Sequence, residues 1–362
     1  MSLPRTMRAV RLQAWGEPPE LVEVPVPEPV GEQLLLRVEA AGLCHSDLHI
    51  MDAPEGRMPY ALPFTLGHEI VGTVVASGPD VDPAWHGRLA AVHGVWSCGQ
   101  CRACRRGREN DCFALTGPIG CGIGYDGGLA DYVLVPSARH LVVADGADPA
   151  ALAPLTDAGL TAQHVVRSLD GQLDGATVVV IGVGGLGHLA LQLLAPVDLA
   201  CLVAVDPRAE ARTLAMRLGA DAVTASVADA EEWLDGCADG HGADVVVDFV
   251  GSPETMTTAA DLLAPGGRLV VVGSAGGRLD VAKGDRLPRG FSIAAPFWGT
   301  RRDLEDVVAL AAAGRVRAET EVFALEDAVA AYGLLRAGRV QGRAVVVPGR
   351  GDRINVEQEG SR

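Results

Sequence analysis

Aromatic side chains are scarce in this sequence, 4% of 362 residues beside 45 glycines. A chain so composed fills its interior with Val, Ile, Leu and Ala and turns tightly, the makeup of an α/β fold in which helices cover both faces of a sheet. Basic charge is short as well: 30 Lys and Arg against 46 Asp and Glu leave a net charge of −16. That field repels nucleic acid and anionic membranes, so neither is expected as a partner. The N-terminus, Met1-Ser2-Leu3-Pro4-Arg5, lacks the apolar run and small-residue cleavage site of a signal peptide, and a cytoplasmic protein is expected. A membrane span is missing too. Ala176 to Val197 carries no Asp, Glu, Lys or Arg, but Gly182, Gly184, Gly185 and Gly187 interrupt it, His188 lies inside it and Pro196 ends it. The pattern predicts strand, turn and helix in a buried sheet.

The length exceeds what one ordinary core holds, so two domains are expected. Residues 7–40 alternate apolar and polar positions (Met7 to Leu12, then Gln33 to Ala40) around a Pro-rich link, and Ile70 to Gly78 and Ala130 to Pro136 continue the habit. This predicts a compact, partly open β-barrel over residues 1–156. Eight cysteines in a reducing compartment point to metal before disulfides. Four of them, Cys98, Cys101, Cys104 and Cys112, are spaced Cys-x2-Cys-x2-Cys-x7-Cys in a lobe over residues 95–115. Four thiolates so close close a tetrahedral site with no open position, which predicts a structural zinc; an iron–sulfur cluster or two disulfides are the other chemistries the spacing allows. The arginines between them, Arg102, Arg105, Arg106 and Arg108, form a solvated face. A second candidate site joins Cys44, in Gly42-Leu43-Cys44-His45-Ser46-Asp47, to His68, in Gly67-His68-Glu69, and to Asp157. A thiolate, an imidazole and a carboxylate can hold a catalytic zinc with one position open, although a lone Cys or His is more often packed core.

From residue 157 the texture becomes alternating strand and helix. Strands are predicted at Thr177–Ile181, Leu202–Val205, Ala222–Thr224, Asp244–Phe249, Arg268–Val272 and Ser292–Ala294, as a doubly wound sheet requires. Gly182-Val183-Gly184-Gly185-Leu186-Gly187 follows the first strand and opens a helix, and Asp206 ends the next strand. Gly182 permits the turn, Gly184 the approach of a pyrophosphate and Gly187 close helix packing. Asp206 would accept the adenosine ribose and repel a 2′-phosphate, favouring NAD over NADP, with Arg208 nearby as a counterweight. The bland alternative is a dinucleotide fold that binds nothing. The Rossmann domain is expected over 157–297, a return to the first domain over 298–348, and a polar tail over 349–362 whose Arg350-Gly351-Asp352 carries no message.

These motifs, with Gly342-Arg343-Ala344-Val345-Val346-Val347-Pro348, make the chain resemble the zinc-dependent alcohol dehydrogenases of the medium-chain dehydrogenase/reductase superfamily. Pro154 to Thr161 and Pro296 to Arg301 are most similar to bacterial secondary-alcohol dehydrogenases. The resemblance implies a GroES-like catalytic domain beside a Rossmann domain, NAD(H), two zinc ions per chain, and a homodimer or homotetramer. It implies that Cys44, His68 and Asp157 bind the catalytic zinc, that Glu69 approaches the metal when the substrate site is empty, and that Asp47 orients His68. Ser46 and His49 become a proton relay from the alcohol to solvent, while Gly182, Gly184, Gly185, Leu186, Gly187, Asp206, Arg343 and His45 become cofactor contacts. Trp96, Phe113, Phe297 and Trp298 become an apolar wall suited to small-to-medium secondary alcohols and ketones. Three departures stand out: Asp157 where many relatives have Cys, Arg88 in Trp85-His86-Gly87-Arg88 where an acid is usual, and His45 where some place Arg. A polyol or amino-alcohol dehydrogenase, and a non-catalytic protein that keeps zinc and NAD, are the remaining readings.

Overall fold

The computed structural model describes residues 3–237, 240–281, 287–340 and 342–349. Residues 350–362, and with them Arg350-Gly351-Asp352 and nearly all of the expected tail, lie outside the described residues. The chain divides into two compact units, Met1–Asp157 with Ala318–Arg362, and Ala158–Arg317. The return to the first unit therefore comes at 318 and not at 298. The helix Arg301–Ala312 belongs with the second unit because its Asp303 binds His164 (2.9 Å) and Arg167 (2.9 Å) of the helix Ala158–Ser168.

In the first unit Thr6–Leu12 pairs antiparallel with Glu20–Pro25 and with Phe64–Thr65. Part of the expected Pro-rich link is thus a strand. Leu21, Val22 and Val24 give it enough β character, and as an edge strand it tolerates the prolines that flank it. A seven-stranded sheet carries the site. Its path runs Leu141–Val143, Leu89–Val92, Glu69–Ser77, Leu34–Gly42, Arg343–Val347, Thr320–Ala324, with Tyr132–Val135 on Leu34–Gly42 as well. The path has two free ends, so the barrel is open. Leu34–Gly42 sits in the middle because Leu34, Leu35, Leu36 and Val38 are apolar in succession and buried on both faces. Where this strand ends, its register opposite Glu69 (Gly42↔Glu69) and Val345 (Val345↔Gly42) brings three distant segments to one point. Arg88 pairs with Asp145 (2.5 Å), whose other oxygen accepts from the Leu89 N–H (2.8 Å).

The second unit holds a six-stranded parallel sheet from Thr177–Ile181, Cys201–Val205, Ala222–Thr224, Ala243–Asp248, Leu263–Val271 and Ser292–Ala294. In chain order of its strands the sheet reads 3-2-1-4-5-6, that of a doubly wound dinucleotide fold. Val178 and Val180 pack into one helix layer, Val179 and Ile181 into the other, which explains why the strand reads as one apolar run. Among the described residues no helix is long and apolar enough to cross a membrane. The uncharged stretch 176–197 resolves into the strand Thr177–Ile181 and the helix Gly187–Leu194.

Candidate active site

At the end of the central strand of the first unit, Cys44 caps the short helix His45–Met51. His68 and Glu69 open the neighbouring strand, and Asp157 follows the turn Ala153–Thr156, which is held when Thr156 Oγ1 accepts the Ile70 N–H (3.1 Å). The donor atoms of Cys44, His68, Glu69 and Asp157 all lie within 4.8 Å of one another. Asp157 Oδ2 is 3.8 Å from Cys44 Sγ and 3.5 Å from His68 Nε2. Thiolate, imidazole and carboxylate at such separations suit a zinc ion and its borderline softness. Glu69 strengthens the fit: it is fully buried, its Oε1 pairs with Arg343, and its Oε2 has no hydrogen-bond partner. Gly42 makes this possible, since a Cβ there would stand 1.9 Å from Glu69 Oε2.

The charges are arranged to keep the donors available. Asp47, fully buried, accepts from the Cys44 N–H (3.0 Å) and from the Tyr332 hydroxyl (2.9 Å) on Oδ2, and its Oδ1 meets His68 Nδ1 at 3.0 Å. That contact leaves Nε2 of His68 facing Asp157 and Cys44. Burial by itself depresses the His68 imidazole, but Asp47 and then Asp157 carry it well above its ordinary value. For Asp157 burial pushes up and His68 outweighs it, holding the carboxyl below its usual range. Burial pushes Glu69 up to about 7 against the pull of Arg343. A pocket this rich in anions favours a cation.

The four lobe cysteines also converge. Sγ of Cys104 is 3.9 Å from that of Cys98 and 3.5 Å from that of Cys101, and Cys101 is 3.9 Å from Cys112. One zinc about 2.3 Å from each of four tetrahedral sulfurs separates them by about 3.8 Å. A disulfide needs about 2.05 Å, and a cluster of several irons spreads its thiolates further apart. None of the four is in a disulfide. Backbone N–H groups of Gln100 and Cys101 hold the Cys98 thiol below its ordinary value, while burial pushes Cys104 up to about 12.

In the second unit the glycine turn joins strand to helix as expected. Gly182 takes a φ of 88°, and a Cβ on Gly187 would lie 1.8 Å from the Gly182 carbonyl oxygen, so neither position accepts a side chain. Leu186 caps the helix without a side-chain hydrogen bond, which leaves the helix end to an outside anion. Gly184 and Gly185 lie in the turn between them, and Asp206 reaches back to accept the Val183 N–H at 2.9 Å.

Other expected residues are placed differently. Phe113 is 60% exposed with the Arg102 guanidinium 5.5 Å above its ring, because the lobe turns it outward. Trp96 packs on Tyr125 (5.0 Å) at a cavity of about 650 Å³ that Cys98 and Arg139 also line but Cys44, His68 and Asp157 do not. Neither therefore walls the metal donors within the first unit. Phe297 and Trp298 pack edge to face on each other at 6.0 Å in the second unit. Arg343 is buried against Glu69, and His45 is exposed, its pKa lowered by partial desolvation and then by Arg343 and His49. Ser46 Oγ lies 3.6 Å from Cys44 Sγ, and His49 is exposed one turn along the same helix. Sequence reasoning missed Tyr332, whose only signal is burial of a hydroxyl far along the chain. It also missed Tyr60, whose ring is tilted against Trp15 (6.1 Å) and edge-on to Phe64 (5.6 Å), and whose hydroxyl burial pushes up while the charge of His68 opposes it.

Comparison with known proteins agrees with this geometry. Residues 31–145 match the alcohol dehydrogenase GroES-like domain, and residues 185–313 match the zinc-binding dehydrogenase domain. An NAD-dependent alcohol dehydrogenase of Sulfurisphaera tokodaii is 37% identical over 353 residues, 94% of this chain and 100% of the relative. A D-arabinose 1-dehydrogenase (NADP(+)) of Saccharolobus solfataricus is 34% identical over 345 residues, covering 94% of this chain and 97% of the relative. The structure of acetophenone reductase from Geotrichum candidum in complex with NAD superimposes with a TM-score of 0.83 at 32% identity, covering 96% of this chain and 98% of that one.

Proposed function

The chain belongs to the zinc-dependent medium-chain alcohol dehydrogenases, and from that premise we propose which of its residues do the work and on what. It is an NAD-dependent oxidoreductase that interconverts alcohols with ketones or aldehydes by hydride transfer. The convergence of Cys44, His68 and Asp157 donors, with Glu69 beside them, carries the assignment of the catalytic metal to these residues. Cys98, Cys101, Cys104 and Cys112 hold a second, structural zinc. Zinc supplies a Lewis acid that makes the substrate hydroxyl acidic, and NAD supplies the hydride acceptor.

The chain's own residues do the rest. Asp47 fixes the His68 ring so that Nε2 faces Asp157, where it would hold the zinc, and Tyr332 fixes Asp47. Ser46, beside Cys44, would accept the hydroxyl proton while giving up its own, and exposed His49 on the same helix would be the group that releases a proton to solvent. Gly182 to Gly187 receive the pyrophosphate and Asp206 lies at the adenosine ribose. Trp15, Tyr60 and Phe64 form an aromatic cluster in the first unit, of which Tyr60 feels the charge of His68, and this supports apolar secondary alcohols and their ketones, aryl-alkyl ones included. Likeness to an acetophenone reductase supports the same class, while likeness to a D-arabinose dehydrogenase keeps polyols as the second reading. We place the protein in the cytoplasm, where thiols stay reduced, as a homodimer or homotetramer.

The test is NADH formation with zinc-replete protein and a panel pairing secondary alcohols with their primary isomers and with aldoses. Turnover led by secondary alcohols, abolished by chelation, is the expected result. Turnover led by aldoses would transfer the assignment to the second reading.

A further inference from the structure

Asp248 ends the strand Ala243–Asp248 and is fully buried. Its Oδ1 accepts the N–H groups of Val250 (2.8 Å) and Gly251 (2.9 Å), and its Oδ2 accepts the Thr255 hydroxyl (2.8 Å). Thr255 Oγ1 receives the Ser252 N–H in turn (3.0 Å), which leaves the hydroxyl proton for Asp248. The group is thus an acceptor in all three bonds, the pattern of an ionised carboxylate. Among the described residues no cationic side chain pairs with it, whereas Asp206, two strands away in the sheet, has Arg208 at 2.9 Å. The loop that Asp248 holds lies on the glycine turn: the Phe249 N–H bonds the Ile181 carbonyl (2.9 Å), and a Cβ on Gly182 would stand 2.7 Å from Val250 Cγ2. The Asp248 carbonyl accepts from Val272 (2.8 Å) and Gly273 (3.1 Å), so one residue ties three strand ends together.

The strand order reverses beside Thr177–Ile181, and there the crevice for a dinucleotide opens at the carboxyl ends of the strands. With Asp206 at the adenosine, the nicotinamide falls to the half that begins with Ala243–Asp248. We propose that Asp248 sets the balance between the two redox forms of the cofactor, its unpaired buried charge favouring NAD+ over NADH. The proposal rests on the reading of Gly182 to Gly187 as a dinucleotide cradle. NAD+ carries a positive charge on its nicotinamide ring, and the hydride it accepts removes that charge. The two forms are otherwise close in size and share every phosphate and ribose, so contacts along the crevice treat them alike. A carboxylate inside the fold does not, because its field reaches the ring through protein and little water screens it. An Asp248 that only shaped the loop would change both affinities together.

The experiment is a fluorescence titration of the purified protein with NADH, followed by displacement of NADH with NAD+, without alcohol. Asp248→Asn keeps the shape of the side chain: its amide oxygen still accepts the two N–H groups, and its NH2 donates to Thr255 Oγ1. This variant should raise the Kd of NAD+ relative to that of NADH by about fivefold, the effect of one charge over roughly 10 to 20 Å at an effective dielectric of about 20. Glu254→Gln removes an exposed charge from the adjoining helix and should leave the ratio within about twofold of the unaltered protein. Asp248→Ser, uncharged and still able to accept a backbone N–H, carries the same ratio test if the asparagine variant does not fold. A ratio left unchanged by Asp248→Asn or Asp248→Ser while NADH still binds overturns the proposal. So does an equal shift in Glu254→Gln, which would make the effect one of net charge. Failure of the unaltered protein to bind either form overturns the cradle reading first, and this proposal with it.

Discussion

Asp47 touches no substrate, yet each of its contacts bears on a metal donor or on what holds one. It aligns His68 through Nδ1, anchors the Cys44 backbone, and is itself held by a tyrosine 285 residues away. Groups that orient a ligand in this manner typically contribute about 10- to 100-fold in metal affinity. Asp47→Ala should lose that much zinc affinity, and Tyr332→Phe a smaller part of it, in competition against a chromogenic chelator. Zinc retention equal to the unaltered protein in both would show that His68 is oriented by packing alone. Cys44, His68 and Asp157 could be singled out as candidates in the sequence because metal chemistry restricts the residue types, and the structure brings their donor atoms within 4.8 Å of one another. Tyr332 was not, since a tyrosine at that distance carries no mark of its partner.

The cysteine lobe is an element with little apolar content of its own: two short helical turns, Cys104–Arg106 and Glu109–Asp111, wrapped around four thiols. Such a segment keeps its shape through the metal. Cys101→Ser should lower the zinc content from two per chain to one and expose the lobe to trypsin at Arg102, Arg105, Arg106 or Arg108, read by mass spectrometry. A protease-resistant lobe at one zinc per chain would contradict this. The lobe was legible because all its ligands lie within fifteen residues, as was the glycine turn, whose geometry is set by six. Phe113, in contrast, was misplaced. Hydrophobicity points inward only where a core exists to receive it, and the metal-held lobe has none at that point.

At the scale of the molecule, the second unit closes on itself through the helix Arg301–Ala312. Asp303 is buried and binds His164, Arg167 and Thr300, and Arg167 also pairs with Asp306. Burial pushes the Asp303 carboxyl up, but the His164 and Thr300 hydrogen bonds outweigh it and hold the pKa below its ordinary value. A depressed carboxyl contributes stability that is complete above its unfolded pKa of about 3.9 and is lost as pH falls through the folded value. Asp303→Ala should therefore cost about 2 kcal/mol at neutral pH, because it removes the buried carboxylate that the part-exposed Arg167 and His164 and the Thr300 cap share. The gap in Tm from the unaltered protein should narrow as pH falls below about 4. A gap that stays constant with pH would assign the effect to packing.

The six strands of the second unit, the glycine turn and the thiol spacing follow from the sequence itself, since each is encoded by neighbours within one element. Tertiary structure decided what depends on contacts across hundreds of residues. It joined Glu69 to Arg343, 274 positions apart, and it gave the helix Arg301–Ala312 to the second unit through Asp303.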